Sequence, residues 1–245
     1  MMQHLLLLHG ALGSTEQLMP LSAFLSEQFK IHTLDFTGHG HSEEESDSFS
    51  IELFSKQVLT YLDENAIDKI NLFGYSMGGY VSLYFANHHP ERVNKVVTLA
   101  TKFLWTPAIA QQETKMLNPE KIIEKIPAFA YALEKRHFPH DWKRLLQKTA
   151  GMMKELGDHP PLNDPDFEQV PHPVLLSIGD KDSMVTLEET IHIFRKLKNA
   201  NLLVLPNTTH PIEKTNIKKL ASEIAIFLEE TTLQPYDVTS PPRSV

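Results

Sequence analysis

The sequence predicts an α/β protein whose mostly parallel, doubly wound sheet carries a helical insertion between core strands. Three observations predict it. Short continuous apolar runs such as "HLLLLHG" and "HPVLLSIG" alternate with longer amphipathic segments, the rhythm of strand–helix–strand crossovers covered on both faces. Between "VVTLA" and "HPVLLSIG" that rhythm breaks, and residues 102 to about 170 contain helical patterns without a strand-like run. Three of only ten glycines in 245 residues fall within "GYSMGG", directly after an apolar run.

Taken in order, "HLLLLHG" reads as a buried strand. Its "LLLL" fits a buried strand better than a secretory signal, since no basic residues precede it, the run is short, and His9-Gly10 ends it without a cleavage-like site. "EQLMPLSAFLSEQF" reads as a helix with Pro20 in its first half, and "IHTLDF" as the next strand. In "IELFSKQVLTYLDENA", Leu53, Phe54, Val58, Tyr61 and Leu62 fall near helical spacing. "KINLFG" is a strand, and "MGGYVSLYFANHHP" a helix that Pro90 stops, with His88 and His89 at its C-terminal end. "VNKVVTLA", "HPVLLSIG" and "ANLLVLP" are further strands, "LEETIHIFRKLK" a helix that carries His192, and "IEKTNIKKLASEIAIFLEE" the closing helix. The α/β core therefore comprises 1–101 and 171–232, the helical cap 102–170, and 233–245 is expected to be a mobile tail. In the cap, Trp142, Leu145, Leu146, Thr149, Met152, Met153 and Leu156 share one helix face, which reads first as packing, and "GDHPPLNDPDF" reads as a return loop.

Composition narrows the function classes. Hydrophobic residues make up 41% and charged residues 22%, ordinary for a soluble globular protein. A net charge of −8 argues against nucleic-acid and anionic-membrane partners, and no apolar stretch has membrane-spanning length. A cytoplasmic protein acting on a small molecule is expected, with its oligomeric state not readable. The absence of cysteine excludes disulfides, cysteine nucleophiles and thiolate metal sites. There is no glycine-rich phosphate loop or dinucleotide fingerprint, so no cofactor is implied. In "DFTGHGHS" two histidines stand near each other, but no third ligand lies at coordinating spacing and no metal site is expected. The acidic "EEESD" behind it reads as a solvated surface loop.

The glycines around Ser76 carry the chemistry. A strand that turns at once into a helix, with the turning side chain exposed, needs a strained backbone at that residue and small neighbours. G-x-S-x-G between a strand and a helix is such a nucleophile elbow, and "KINLFG" and "YVSLYFA" supply both flanks. Here the sequence resembles the α/β-hydrolase superfamily, in particular its esterase and C–C hydrolase branch, from "LLLLHGALGS" to "NTTHPIEK". The resemblance implies the α/β-hydrolase fold and a triad in the order Ser, acid, His.

Ser76 is then the nucleophile. Asp180 and Asp182 both follow strand "VLLSIG", and the family's G-x-x-D stretch selects Asp182. His210 stands where the family keeps its base, although "NTTH" replaces the usual G-x-G-H. The backbone N–H groups of Met77 and Ala11 are the implied oxyanion donors, with Leu12 the neighbouring possibility. His9 and Gly10 would shape that loop, as would Asp35, Gly38, His39, Gly40 and Ser42 in the segment resembling D-x-x-G-H-G-x-S. Leu12, Trp105, Phe129, Trp142 and Met153 are candidate substrate contacts, with Phe103 and Leu104 beside them, suggesting an apolar acyl or aryl group.

Ester or thioester hydrolysis through an acyl-enzyme is the expected reaction. A C–C bond hydrolase uses the same triad. A menaquinone-pathway-like lyase shares the phrase "GYSMGG" but typically has arginine where Tyr80 stands. Dehalogenases and epoxide hydrolases would carry Asp at the elbow, and a non-catalytic ligand-binding module is the remaining alternative.

Overall fold

Leu5, Leu6, Leu7 and Leu8 are all fully buried, and their alternation decides the layering of the molecule. Leu5 and Leu7 join one apolar cluster, Leu6 and Leu8 the other, because successive strand side chains point to opposite sheet faces. A strand that is apolar at every position must be covered twice. The computed structural model describes residues 2–43 and 46–229. Glu44 and Glu45 of the acidic run, and the tail, lie outside the described residues.

Six strands form the sheet: β1 (Gln3–Leu8), β2 (Phe29–Leu34), β3 (Ile70–Tyr75), β4 (Val93–Leu99), β5 (Val174–Gly179) and β6 (Ala200–Leu205). Their order is β2-β1-β3-β4-β5-β6, and every pairing among the described residues is parallel. Helices α1 (Met19–Leu25) and α10 (Ile217–Glu229) cover one face through Leu21, Leu25, Leu220, Ile224 and Leu228, with Leu18 just before α1 beside them. Helices α2 (Ile51–Glu64), α3 (Met77–His88) and α9 (Leu187–Lys196) cover the other through Phe54, Val58, Val81, Phe85 and Ile193. The chain reverses direction across the sheet between β1 and β3. The loops leaving those two strands therefore diverge at their C-terminal ends, the usual position of a binding crevice in an open α/β sheet.

Between β4 and β5 run five helices: α4 (Pro107–Thr114), α5 (Pro119–Lys125), α6 (Pro127–His137), α7 (Trp142–Asp158) and α8 (Asp164–Gln169). Proline opens α4, α5 and α6, where its missing N–H costs no intrahelical bond. Thr106 and Asn118 cap α4 and α5 by accepting the Ile109 and Lys121 N–H groups. The apolar stripe of α7 serves two neighbours. Trp142 and Leu146 join Ile122, Ala130 and Leu133 in a small separate cluster, whereas Leu145, Met152 and Leu156 join the main core.

Three local readings change. The first helix is a 3₁₀ turn at Thr15–Leu18 followed by α1, with Pro20 in the first turn of α1, where it is tolerated. The expected return loop contains α8. Its Pro165 looks like a breaker in sequence but sits in the first turn, behind an Asn163/Asp166 capping box. Phe167 packs edge-on against Phe103 at 5.6 Å, so α8 sits with the main core although it falls in the cap by sequence. The closing helix begins at Ile217, after a separate 3₁₀ turn at Ile212–Lys214.

Candidate active site

Ser76 links β3 directly to α3 and takes φ 52°, ψ −116°. That conformation is strained for a residue with a Cβ, by roughly 1–3 kcal/mol, and persists only when its surroundings over-determine it. Here they do. The Ser76 N–H donates to the Leu99 carbonyl at 2.8 Å, and its carbonyl accepts the Gly79 N–H at 3.0 Å. The glycines allow the close approach: a Cβ on Gly74 would stand 2.3 Å from the Gly78 carbonyl oxygen, and one on Gly78 2.4 Å from that of Leu8. Met77 begins α3, so its N–H belongs to the first turn, whose amides have no intrahelical acceptor.

His210 follows β6. Its Nδ1 lies 2.8 Å from Asp182 Oδ2, and Asp182 Oδ1 accepts the Met184 and Val185 N–H groups at 2.8 and 2.9 Å. Burial alone would raise the Asp182 pKa, but the His210 hydrogen bond and the two amides outweigh it and hold the carboxyl below its usual value. The ionised carboxylate fixes the imidazole tautomer with Nδ1 as donor and leaves Nε2 for another partner. Asp180 is exposed and accepts the Thr208 N–H at 3.1 Å, so of the two sequence candidates it is Asp182 that meets His210.

The departure from G-x-G-H has a local solution. Asn207 takes φ 54° where the usual first glycine would stand, and asparagine tolerates the left-handed region better than most residues. Lys181 then donates its N–H to Thr208 O at 3.0 Å, closing the loop. Tyr75, just before Ser76, donates its hydroxyl to the His210 carbonyl at 3.1 Å, and burial keeps that phenol neutral by pushing its pKa up.

The loop after β1 approaches from the other side of the crevice. Gly13 donates to Gly10 O at 3.0 Å, closing a turn in which Leu12 has φ 59°. His9 Nδ1 bonds Gly10 O at 2.8 Å, while its Nε2 accepts the Phe36 N–H at 3.1 Å. A ring that donates once and accepts once is neutral, and burial accordingly lowers its pKa to about 4. Asp35 ties the β2 loop to this one by accepting the Thr15 and His41 N–H groups. From α6, Arg136 Nη1 and His137 Nε2 reach the Leu12 carbonyl at 3.0 and 3.1 Å, and His137 Nδ1 accepts the Gly40 N–H at 2.9 Å.

Ala11, Ser76, Met77 and His210 line one cavity with Ile51, Tyr80, Trp105, Met152, Met153, Leu156, Met184, Val185, Lys102 and Glu113. The structure thus brings together Ser76, His210, Ala11 and Met77, with Asp182 behind His210, and adds Trp105 and Met153 from the expected substrate contacts. Three of those contacts stand elsewhere. Leu12 turns its backbone to α6, Trp142 is packed into the small helical cluster, and Phe129 is 37% exposed. Helical periodicity shows which face of α7 is apolar, not which neighbour covers each part of it. Lys102, Glu113 and Tyr75 went unread because none belongs to a periodic stripe. Tyr75 alone had a signal, its place beside the elbow serine.

Comparison with known proteins agrees with this architecture. A family model described as alpha/beta hydrolase fold matches residues 3–135. A pimeloyl-[acyl-carrier protein] methyl ester esterase of Vibrio cholerae is 34% identical over 99 residues, 40% of this chain and 37% of its own length. The esterase of the same name from Aliivibrio fischeri is 25% identical over 248 residues, covering 92% of this chain and 93% of its own. The first match therefore spans little more than a third of that relative. Among solved structures, a 2-hydroxy-6-oxo-6-phenylhexa-2,4-dienoate hydrolase from a Rhodococcus species superimposes with a TM-score of 0.78 at 21% identity, over 94% of this chain and 91% of its own. Among the described residues no helix is long and apolar enough to cross a membrane. With its strained serine at the switch point of a parallel sheet and a family match over more than half its length, this chain belongs to the alpha/beta hydrolase fold family.

Proposed function

We propose that the protein is a serine hydrolase that cleaves an ester or thioester of a small, largely apolar acyl or aryl group. One observation carries the reading: the strained Ser76 opens into the same apolar cavity as His210, whose other ring nitrogen is held by Asp182. The esterase relatives support the same class of reaction.

In this mechanism His210 Nε2 takes the Ser76 hydroxyl proton as Oγ attacks the acyl carbonyl carbon. The carbonyl π pair moves onto oxygen, and the N–H groups of Met77 and Ala11 stabilise the oxyanion. Collapse of the tetrahedral intermediate breaks the bond to the leaving group, which receives its proton from the His210 imidazolium. Water then attacks the acyl-enzyme with His210 again as base, releasing the acid and restoring Ser76. Asp182 stays ionised and stabilises the imidazolium. The helices between β4 and β5 act as a lid that sizes the acyl pocket.

The test is initial rates on p-nitrophenyl esters from acetate to decanoate, with Ser76→Ala as control. Turnover that disappears in the variant is expected, with short chains preferred because the cavity measures about 50 Å³, room for only a few water-sized groups. Equal rates in both proteins would remove the serine hydrolase reading. Absence of ester turnover in both would turn attention to a C–C or lyase substrate, or to ligand binding without chemistry.

A further inference from the structure

The cavity above Ser76 holds a charged cluster that acyl transfer does not use. Lys102, near the start of the helical segment, and Glu113 of α4 both line it. Lys102 Nζ stands 3.4 Å from Glu113 Oε1 and 3.9 Å from Glu189 Oε2. All three side chains are withdrawn from water, with 16%, 10% and 8% of their surface exposed for Lys102, Glu113 and Glu189.

The two carboxylates have different duties. Glu189 Oε1 accepts the Phe103 and Leu104 N–H groups at 2.7 and 2.9 Å, which fastens the entry of the helical segment to α9. Glu113 fastens nothing. Among the described residues its carboxylate has Lys102 as its one polar partner, and the surrounding wall of Tyr80, Trp105, Met152 and Leu156 is largely apolar. Lys102 is thus shared by two carboxylates, Glu113 on the cavity wall and Glu189 outside it, and the three carry a formal charge of −1 beside a largely apolar cavity. An uncompensated charge there is costly, and a ligand that supplies the missing positive charge relieves the cost. A ligand carboxylate would add a like charge to the cluster, and Lys102 is already shared between two.

We infer that the Lys102–Glu113–Glu189 cluster selects substrate by charge: Glu113 receives a protonated amine carried by the acyl or leaving group, and free carboxylates are excluded. The inference rests on the cavity being the substrate pocket of the proposed hydrolase. Glu113 is the specificity-determining residue, and Lys102, itself paired with Glu189, holds it in place.

Calorimetric titration of the wild-type protein with butylammonium, butanol and butyrate reads this preference without turnover. Butylammonium is expected to bind roughly tenfold or more tighter than butyrate, with butanol between them. In Glu113→Gln, verified as folded by circular dichroism, the spread is expected to shrink to about twofold, since a neutral amide keeps the shape and loses the charge. Initial rates on the p-nitrophenyl esters of pentanoate, 5-aminopentanoate and glutarate are expected to follow the same charge order. Butyrate binding as tightly as butylammonium, or no binding of any of the three, overturns the inference. So does an order that survives in Glu113→Gln, because the preference would then come from the acidity of the whole protein. A binding order that holds while no ester is turned over removes the hydrolase reading and leaves the charge preference standing.

Discussion

The strand ends and the helical segment contribute to the same cavity by different means. At the strand ends each group of the proposed triad is fixed by the backbone next to it. Ser76 is set by its own strained dihedrals, Asp182 by two amides within three residues, and the His210 loop by Asn207 and Lys181. The helical segment is held by long-range side-chain contacts instead: His137 and Arg136 to Leu12, Glu189 to the entry at Phe103, and an apolar stripe shared between two clusters. Local constraint gives the precision that bond-making needs. Contacts between distant segments can vary without disturbing that precision, which suits the part of a site that chooses among substrates.

The largest effect that tests this division is Asp182→Asn. The amide keeps the shape but cannot hold Nδ1 as the donor, so kcat is expected to fall about 10⁴-fold with KM little changed. Steady-state kinetics check it, and a comparable rise in KM would mean that Asp182 shapes the pocket. The strand-end half would then be less separate from selection than the geometry indicates.

Trp142→Ala probes the other half. Trp142 is 7% exposed inside the cluster of Ile122, Ala130, Leu133 and Leu146, so its loss is expected to cost about 3–5 kcal/mol, read from urea unfolding. Because it does not line the cavity, kcat/KM of the folded fraction is expected to stay within about threefold.

Acid tests the junction between the halves. His9 and His137 are both neutral in the fold, their pKa lowered to about 4 chiefly by burial, while His39 lies well below its usual value for the same reason. At His137, Arg136 adds to that lowering and Asp35 opposes it. Between pH 6.5 and 4 the unfolded chain takes up protons that these rings refuse, so stability falls as pH falls through that window and is flat above it. His9 and His137 each lower stability by a few kcal/mol at the acid end. Urea midpoints from pH 8 to 4.5 check the sign, and His137→Gln is expected to flatten the slope.

How much of this was legible in the sequence follows the same division. The elbow, the order Ser76–Asp182–His210 and the strand rhythm can be read because each depends on neighbouring residues: a glycine two positions away, an apolar run, a turn. The strand–helix rhythm also implied a sheet covered on both faces, and Leu5–Leu8 divide between the two apolar clusters accordingly. The helical half could be recognised as helical but not folded. Trp142 and Trp105 look equally suitable for a pocket in sequence, and only the fold separates them: Trp142 packs with Ile122, Ala130 and Leu133 of α5 and α6, whereas Trp105 lines the cavity. Pro165 looked like loop because proline is a breaker except in a first turn, and one sequence does not say where a first turn begins. Glu113 was invisible for a related reason: its meaning comes from Lys102 and Glu189, both brought to it by the fold.

The smallest expected effects sharpen the comparison most, because they separate two aromatic residues of the helical half that sequence treats alike. Trp105 lines the cavity, and its indole N–H donates to the Lys102 carbonyl at 3.3 Å. Phe129 lies on α6 with 37% of its surface exposed and outside the cavity wall. Trp105→Ala enlarges the pocket, so the preferred p-nitrophenyl ester is expected to lengthen by roughly two carbons. Phe129→Ala is expected to change neither that preference nor stability by more than about 0.5 kcal/mol, the ordinary range for an exposed substitution. Chain-length profiles of the two variants side by side decide it. If Phe129→Ala shifted the profile instead, the helical segment would close over substrate by bringing α6 inward, and selection would belong to a motion rather than to the resting wall of the cavity.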